Sequence, residues 1–293
     1  MRYRITHLTA YHYADAVSLS YNEVRLRPLD SDAQVCRYSR VEIDPIPNER
    51  TETTDYFGNH VDRFALQTSH DQVSVKAISE VEVKAAGKMD LGMSLPWDEA
   101  VEVLAKGGLA DHLLAREFVL ETPMSRPMSE LREYALASFP SGRPVLEAVH
   151  DLMERIHTDF TYDPGFSTIA TPLSEVLEHK RGVCQDFAHL GIACVRSMGI
   201  PARYVSGYLE TLPPPGKERL VGADASHAWF SVYCPNLGWQ DFDPTNCIMP
   251  SERHITVARG RDYSDVAPLK GVLFGGGENK LSVSVDVAPL LEE

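Results

Sequence analysis

Three short runs carry residue types suited to amide chemistry. Cys184 lies in Arg181-Gly182-Val183-Cys184-Gln185-Asp186-Phe187-Ala188-His189, and His227 in Ser226-His227-Ala228-Trp229-Phe230-Ser231-Val232. Asp243 closes Gly238-Trp239-Gln240-Asp241-Phe242-Asp243 and is followed by Pro244-Thr245-Asn246. Attack on a carboxamide at neutral pH needs a nucleophile, a base beside it and an acid that orients the base. Cysteine reacts as the thiolate, so its surroundings must favour that form. A helix start supplies partial positive charge, and a nearby histidine can take the thiol proton and later return it to a leaving amine.

The elements around these residues can place them. Phe187, Leu190, Gly191, Cys194, Val195 and Met198 share one side of a helix that Gly199 and Pro201 end, which puts Cys184 in its first turn. On the strand that follows His227, alternation sends Ala228, Phe230, Val232 and Cys234 to a core face. His227, Trp229, Ser231 and Tyr233 take the other face, expected to line a cleft. Trp239, Asp241 and Asp243 share a face of the next strand. An antiparallel turn at residues 235–238 brings both carboxylates to the cleft side, with Asp243 at the strand end beside Pro244. Taken singly, Cys184 would be a small buried hydrophobe, His227 a structural hydrogen-bonding residue and Asp243 part of a turn. Their order and their elements together make the Cys–His–Asp reading. Cys36, Cys194, Cys234 and Cys247 read as packing residues.

Residues 1–90 read as strands. Tyr3, Ile5, His7, Thr9 and Tyr11 alternate with more polar neighbours, Val73, Val75, Ala77, Val81 and Val83 keep one parity, and Tyr56-Phe57-Gly58-Asn59 signals a hairpin turn. Several strands without a helix among them predict a β-sandwich. Residues 91–140, punctuated by Pro96, Gly107, Gly108, Pro123 and Pro127, read as a linker with some helix. A helix from Pro144 follows from Val145, Val149, Leu152, Met153 and Ile156 on one stripe. A shorter one is predicted after an N-cap at Thr171-Pro172, ending by Gly182. Residues 202–209, 227–234 and 239–243 read as strands, 211–226 as a polar loop, and Leu281, Val283, Val285 and Val287 as a final strand.

Composition narrows the partners. With 293 residues, 43% hydrophobic and 24% charged, the chain has the make-up of a globular protein of two domains. A net charge of −14 disfavours nucleic acid and anionic membranes as partners, since phosphate binding requires clustered Lys and Arg. No apolar run approaches the roughly 20 residues needed to span a bilayer. The segment from Met1 to His7 lacks the apolar core of a secretory signal, so a cytoplasmic location is expected. Five widely spaced cysteines point to free thiols, and no metal-binding spacing is present, so neither a metal nor a cofactor is expected.

Gly182-Val183-Cys184-Gln185-Asp186-Phe187-Ala188, His227-Ala228-Trp229, Gly238-Trp239 and Asp243-Pro244-Thr245-Asn246 together resemble the core motifs of the bacterial transglutaminase-like superfamily. The first ~85 residues resemble the β-rich N-terminal domain often joined to that core, a division that suits usual domain lengths. The run from Arg261 to Val266 is similar to the family's C-terminal segment. The resemblance implies an α+β protein: an N-terminal β-sandwich over residues 1–90, a linker over 91–140, and a papain-like core of helices on an antiparallel sheet over 141–293, with a C-terminal strand extension. It also implies Cys184 as nucleophile, His227 as base and Asp243 as orienting acid. The expected activity is cleavage of a peptide or isopeptide bond in a peptide or protein substrate through a thioester. Transfer to an amine, as in a transglutaminase, is the alternative, and a non-catalytic interaction module is the reading from another class. Oligomeric state is left open.

Overall fold

The computed structural model describes residues 1–85, 87, 89–211 and 226–290. The first half is organised by β1 (Arg2–Val24), a 23-residue strand on which Tyr3, Ile5, His7 and Thr9 are buried in alternation. Its first half lies between β5 (His70–Val83) and β13 (Asn279–Pro289), and its second between β4 (His60–Leu66) and β12 (Leu269–Gly275), all antiparallel. β2 (Gln34–Asp44) extends the sheet from β5, and β3 (Glu49–Thr54) from β4. The register breaks between His12 and Val17 against β5 and between Val17 and Leu19 against β12. Such irregularities bend a strand and increase its twist. The bend brings Phe64 and Leu66 of β4 together with Val73 and Val75 of β5 and Val41 of β2 in one enclosed cluster.

The sandwich expected for this region therefore takes the form of one continuous seven-stranded sheet curled over its own core. The strand expected near the C-terminus is β13. It and β12 pair with β1, so the end of the 141–293 unit is built into the N-terminal sheet.

The other half stacks helices on a four-stranded antiparallel sheet ordered β10 (Gly238–Phe242), β9 (Ser226–Cys234), β8 (Ala202–Leu209), β11 (His254–Gly260). Ahead of it in sequence come α1 (Trp97–Lys106), α2 (Ala110–Arg116) and α3 (Ser129–Leu136). Next is α4 (Val145–Asp159), whose stripe Val145, Val149, Leu152, Met153 and Ile156 is fully buried. β6 (Thr161–Tyr162), α5 (Leu173–His179) and β7 (Arg181–Gly182) lead into α6 (Cys184–Ser197). α5 starts after Pro172 and is ended by Lys180 in a left-handed conformation, φ 50°. Gly182, expected to end it, has another role. α6 lies against β9 closely enough that a Cβ on Gly191 would fall 2.5 Å from the Phe230 ring. Its far end is tied by the Arg196 guanidinium, which donates to the carbonyls of Ala202 and Arg261 and to Ser125 Oγ.

Two amide side chains join the halves, both at β11. Gln34 donates Nε2–H to the Thr256 carbonyl (2.8 Å) while its Oε1 accepts the Thr256 N–H (2.8 Å). Asn59, in the turn between β3 and β4, makes the same paired contact with Arg259 at 2.8 Å in each direction. Gly58, φ 85°, makes that turn, and Asp55 Oδ1 accepts the N–H groups of Phe57 and Asn59. Around these clamps Tyr3, Ile5, Val81, Val83, Val285 and Val287 pack against Tyr208, Ile255 and Val257.

Candidate active site

Cys184 is the first residue of α6 and half-buried, while residues 186–196 are buried throughout. Gly182 and Val183 ahead of it and Asp186 just after it explain the motif's shape. Val183 is extended, and its N–H is capped by the carboxylate of Asp186 at 2.8 Å. Ser167 donates to that same carboxylate. A Cβ on Gly182 would meet Cβ and Oδ2 of Asp186 at 2.8 Å, so glycine is what lets Asp186 fold back over the chain. Burial pushes the Asp186 carboxyl up, against the pull of its two donors. The first N–H groups of α6 have no carbonyl one turn earlier to bond. They leave an electropositive helix start at the sulfur.

Further along, His189 is buried under Tyr204 (ring centroids 4.8 Å apart), and its Nε2 accepts the Tyr263 N–H at 3.2 Å. Burial pushes its imidazole down to about 4. Tyr263 opens α7 (Tyr263–Val266), capped by Asp262 Oδ1 on the Ser264 N–H. The segment from Arg261 to Val266 thus props α6 from behind. The Tyr204 and Tyr162 phenols both lie near enough to the Cys184 sulfur for its charge to raise them, although burial is the larger cause in each.

His227 is the second residue of β9, opposite Gly207 of β8. Its Nε2 is 2.7 Å from Oδ2 of Asp243, and the Cys184 thiol is its other hydrogen-bond partner, which leaves Nδ1 to the sulfur. Burial disfavours charge on this ring. Its hydrogen bonds to Asp243 and Cys184, together with their negative charge, outweigh burial and raise the imidazole to about 10.

Asp243 follows the last residue of β10, bridges to Ile248 and is fully buried. Oδ2 accepts from His227 Nε2, from Asn246 Nδ2 (2.8 Å) and from His254 Nε2 (3.1 Å). Oδ1 accepts the N–H groups of Thr245 (3.0 Å) and Asn246 (3.2 Å). The turn Pro244–Cys247, with Cys247 at φ 55°, aims those two N–H groups inward. Burial opposes the carboxylate's charge, but the hydrogen bonds from His227, then His254, and the neighbouring imidazole charge hold the carboxyl well below the usual range.

The structure thus brings Cys184, His227 and Asp243 together. Asp241, on the same strand face, instead accepts the Trp229 indole N–H at 3.1 Å. The face expected to line a cleft is closed beyond His227: Trp229 and Ser231 are fully buried and Tyr233 nearly so. Tyr233 packs with Leu104 and Ala115 and edge-on against Trp239, which lies over Arg203. β9 is an interior strand covered on both sides, so alternation marked its core face correctly but not solvent on the other. Sequence reading missed Asn246 and His254. The three-residue step from Asp243 to Asn246 in a turn was the available signal for the first. Nothing local marks the second, which arrives from β11.

His227, Asp243 and His254 offer two imidazole nitrogens and a carboxylate oxygen, all within 4.8 Å of one another, a donor set able to hold a metal ion. Here each imidazole nitrogen lies at hydrogen-bond distance from the same Asp243 oxygen. Among the described residues no helix is long and apolar enough to cross a membrane. Residues 212–225, which hold most of the expected polar loop, lie outside the described residues. A cavity of about 480 Å³ opens beside the first turn of α6, with Gln185, Asp186, Leu173, Met124 and Met128 in its lining.

Comparison with known proteins places this geometry in context. Residues 3–82 match the bacterial transglutaminase-like N-terminal region, and residues 136–244 match the transglutaminase-like superfamily. An uncharacterised protein of Mycobacterium tuberculosis is 44% identical over 98% of this chain and 93% of its own length. A protein-glutamine gamma-glutamyltransferase of Pseudomonas aeruginosa is 26% identical over 62% of this chain and 34% of its own length. The fold is shared with a candidate cysteine protease from Cytophaga hutchinsonii, TM-score 0.77 at 22% identity, over 100% of this chain and 92% of that one.

Proposed function

Since the chain belongs to the transglutaminase-like superfamily, with the bacterial N-terminal region ahead of the core, we propose that it is a cysteine-dependent acyl-transfer enzyme acting on amide bonds. The observation that carries this reading is the His227 imidazole held between the Asp243 carboxylate at 2.7 Å and the Cys184 thiol. The thiol proton passes to His227 Nδ1, and the sulfur attacks the carbonyl carbon. The developing oxyanion sits at the start of α6, where free N–H groups stabilise it. The imidazolium then protonates the departing nitrogen as the C–N bond breaks, leaving a thioester on Cys184. Asp243 holds the proton-bearing Nε2 of His227 and balances the charge on the ring without forming a bond to substrate.

In our reading water resolves the thioester. His227 Nδ1 takes a proton from water, the hydroxide attacks the thioester carbon, and a carboxylic acid leaves as the thiol is restored. The substrate is then a peptide or isopeptide. What favours water over an amine is that Trp229, Tyr233 and Trp239, the rings that a water-excluding acceptor channel would use, are committed to packing. Amine transfer is the second reading, favoured by the P. aeruginosa relative. The test is product partition from Gln- and peptide-based acyl donors, with and without a primary amine. Hydrolysis predicts free acid as the main product even with amine present. Stoichiometric amine incorporation in place of acid overturns hydrolysis and selects transfer.

A further inference from the structure

The Asp243 carboxylate is gripped by a residue that the motif does not contain. His254 opens β11, is buried, and directs Nε2 at Oδ2 of Asp243 from 3.1 Å. Oδ2 is an acceptor only, so Nε2 must carry the hydrogen, and in the neutral ring Nδ1 is then a bare acceptor. That Nδ1 is buried and has no hydrogen-bond partner among the described residues. An unpaired buried acceptor is unfavourable. The alternative tautomer would turn a bare Nε2 toward the carboxylate, lone pair against negative charge, which is worse. The ring is therefore fixed as an Nε2–H donor by what it faces.

Its position is fixed as well. His254 meets Trp229 edge to face at 5.3 Å and 84°, and Trp229 is held through its indole N–H by Asp241. Two residues along β11, Thr256 is clamped in both directions by Gln34 of the N-terminal sheet. The N-terminal half thus locks the strand that presents His254.

We propose that His254 is a positioning residue for the Cys184–His227 pair, acting through Asp243, an inference that rests on the acyl-transfer reading above. A carboxylate held only by His227 and its own turn could swing about its Cα–Cβ bond. The N–H from β11 pins Oδ2 from outside that turn and keeps it on His227 Nε2. The groups facing Asp243 are His227 from β9, His254 from β11 and Asn246 from its own turn, with Cys247 close enough to feel its charge. The His254 hydrogen bond also helps hold the Asp243 carboxyl low against burial, so its loss moves Asp243 toward higher pH.

The test follows alkylation of Cys184 by iodoacetamide against pH, with peptide-resolved mass spectrometry, in wild type, Asp243→Asn, His254→Phe and His254→Gln. Phenylalanine keeps the ring on Trp229 and removes the donor, while glutamine restores an N–H near the Nε2 position. The expected result for His254→Phe is roughly a tenfold slower reaction at neutral pH, the size of one lost hydrogen bond to a charged group. His254→Gln should recover most of the lost rate. A His254→Phe profile that overlays wild type, while that of Asp243→Asn departs from it, overturns the role of His254 and leaves the triad standing. An Asp243→Asn profile that also overlays wild type overturns the triad and this inference with it. If His254→Phe does not fold, the wild-type protein decides through imidazole ¹⁵N shifts. Hydrogen on Nε2 of His254 supports the proposal, and hydrogen on Nδ1 refutes it.

Discussion

Replacing Asp243 by Asn removes a charge and reverses one hydrogen-bonding end while leaving the shape nearly unchanged. The carboxylate takes three donors on Oδ2 and two backbone N–H groups on Oδ1. An amide nitrogen in the Oδ1 position would face two backbone donors that cannot change. In the Oδ2 position it faces two imidazoles that can, by moving their hydrogens from Nε2 to Nδ1. The second arrangement wins, and its consequences are local. His227 then presents Nδ1–H to the Cys184 sulfur and cannot accept the thiol proton. His254 exchanges an unpaired buried Nδ1 acceptor for an unpaired buried Nδ1–H, and the exposed Asn246 amide can turn its oxygen to the new donor. Weakening the hydrogen bonds that a charged carboxylate accepts gives a loss of about 1.5–3 kcal/mol in stability. Turnover should fall by about two to four orders of magnitude, as when the orienting aspartate of a serine protease becomes asparagine. Asp241→Asn is the control: its amide oxygen can still accept the Trp229 indole N–H, so stability should stay within about 0.5 kcal/mol. The assay is turnover and Cys184 alkylation against pH, with urea unfolding of both variants. Turnover of Asp243→Asn within about threefold of wild type, or a greater loss from Asp241→Asn, would refute the orienting role.

The remaining expectations concern thiols, pH and packing. Burial pushes the Cys194 and Cys234 thiols up to about 12, so iodoacetamide at neutral pH should label Cys184 and spare both, and Cys184→Ala should abolish turnover where Cys194→Ala does not. His227 is raised from 6.5 to about 10, so its contribution to stability is complete below 6.5 and fades as pH rises through 10. Asp243 is lowered from 3.8, so its contribution is complete above that value and fades as pH falls through the depressed one. The stability gap between wild type and Asp243→Asn, read from urea midpoints, should accordingly be widest between pH 3.8 and 6.5 and narrow on both sides. Gly191→Ala would set a methyl 2.5–2.9 Å from the Phe230 ring, so thermal unfolding should show a loss of about 1–3 kcal/mol from overpacking.

Much of this site could be read from residue order because its parts are local. A helix start, a strand start and a strand end each leave a pattern within a few residues, and Cys184, His227 and Asp243 occupy those three places. Strand parity also separated Phe230 and Phe242, which stack in the core, from the face bearing His227 and Asp243. It did not reveal that Trp229, Ser231 and Tyr233 would be covered, because burial of a second face depends on what another part of the chain lays over it. His254 escaped for the same reason, since its contact with Asp243 spans two strands at opposite ends of the sheet order. The N-terminal strands were legible from alternation. Their closure into one curled sheet was not, because it depends on register breaks in β1 and on strands returning from the C-terminus. Gly182 looked like a helix terminator, and only the fold of Asp186 over it shows why no side chain fits there.

A cysteine acyl-transfer enzyme must pass through a covalent thioester on Cys184, and that thioester can be trapped. The protein is mixed with Gln- and peptide-based acyl donors, quenched in acid within one turnover, digested and sequenced by mass spectrometry. The acyl mass is expected on the peptide carrying Cys184, released on return to neutral pH, and absent from Cys184→Ala. Product formation that persists in Cys184→Ala, or an acyl group found on another residue and not on Cys184, would contradict it.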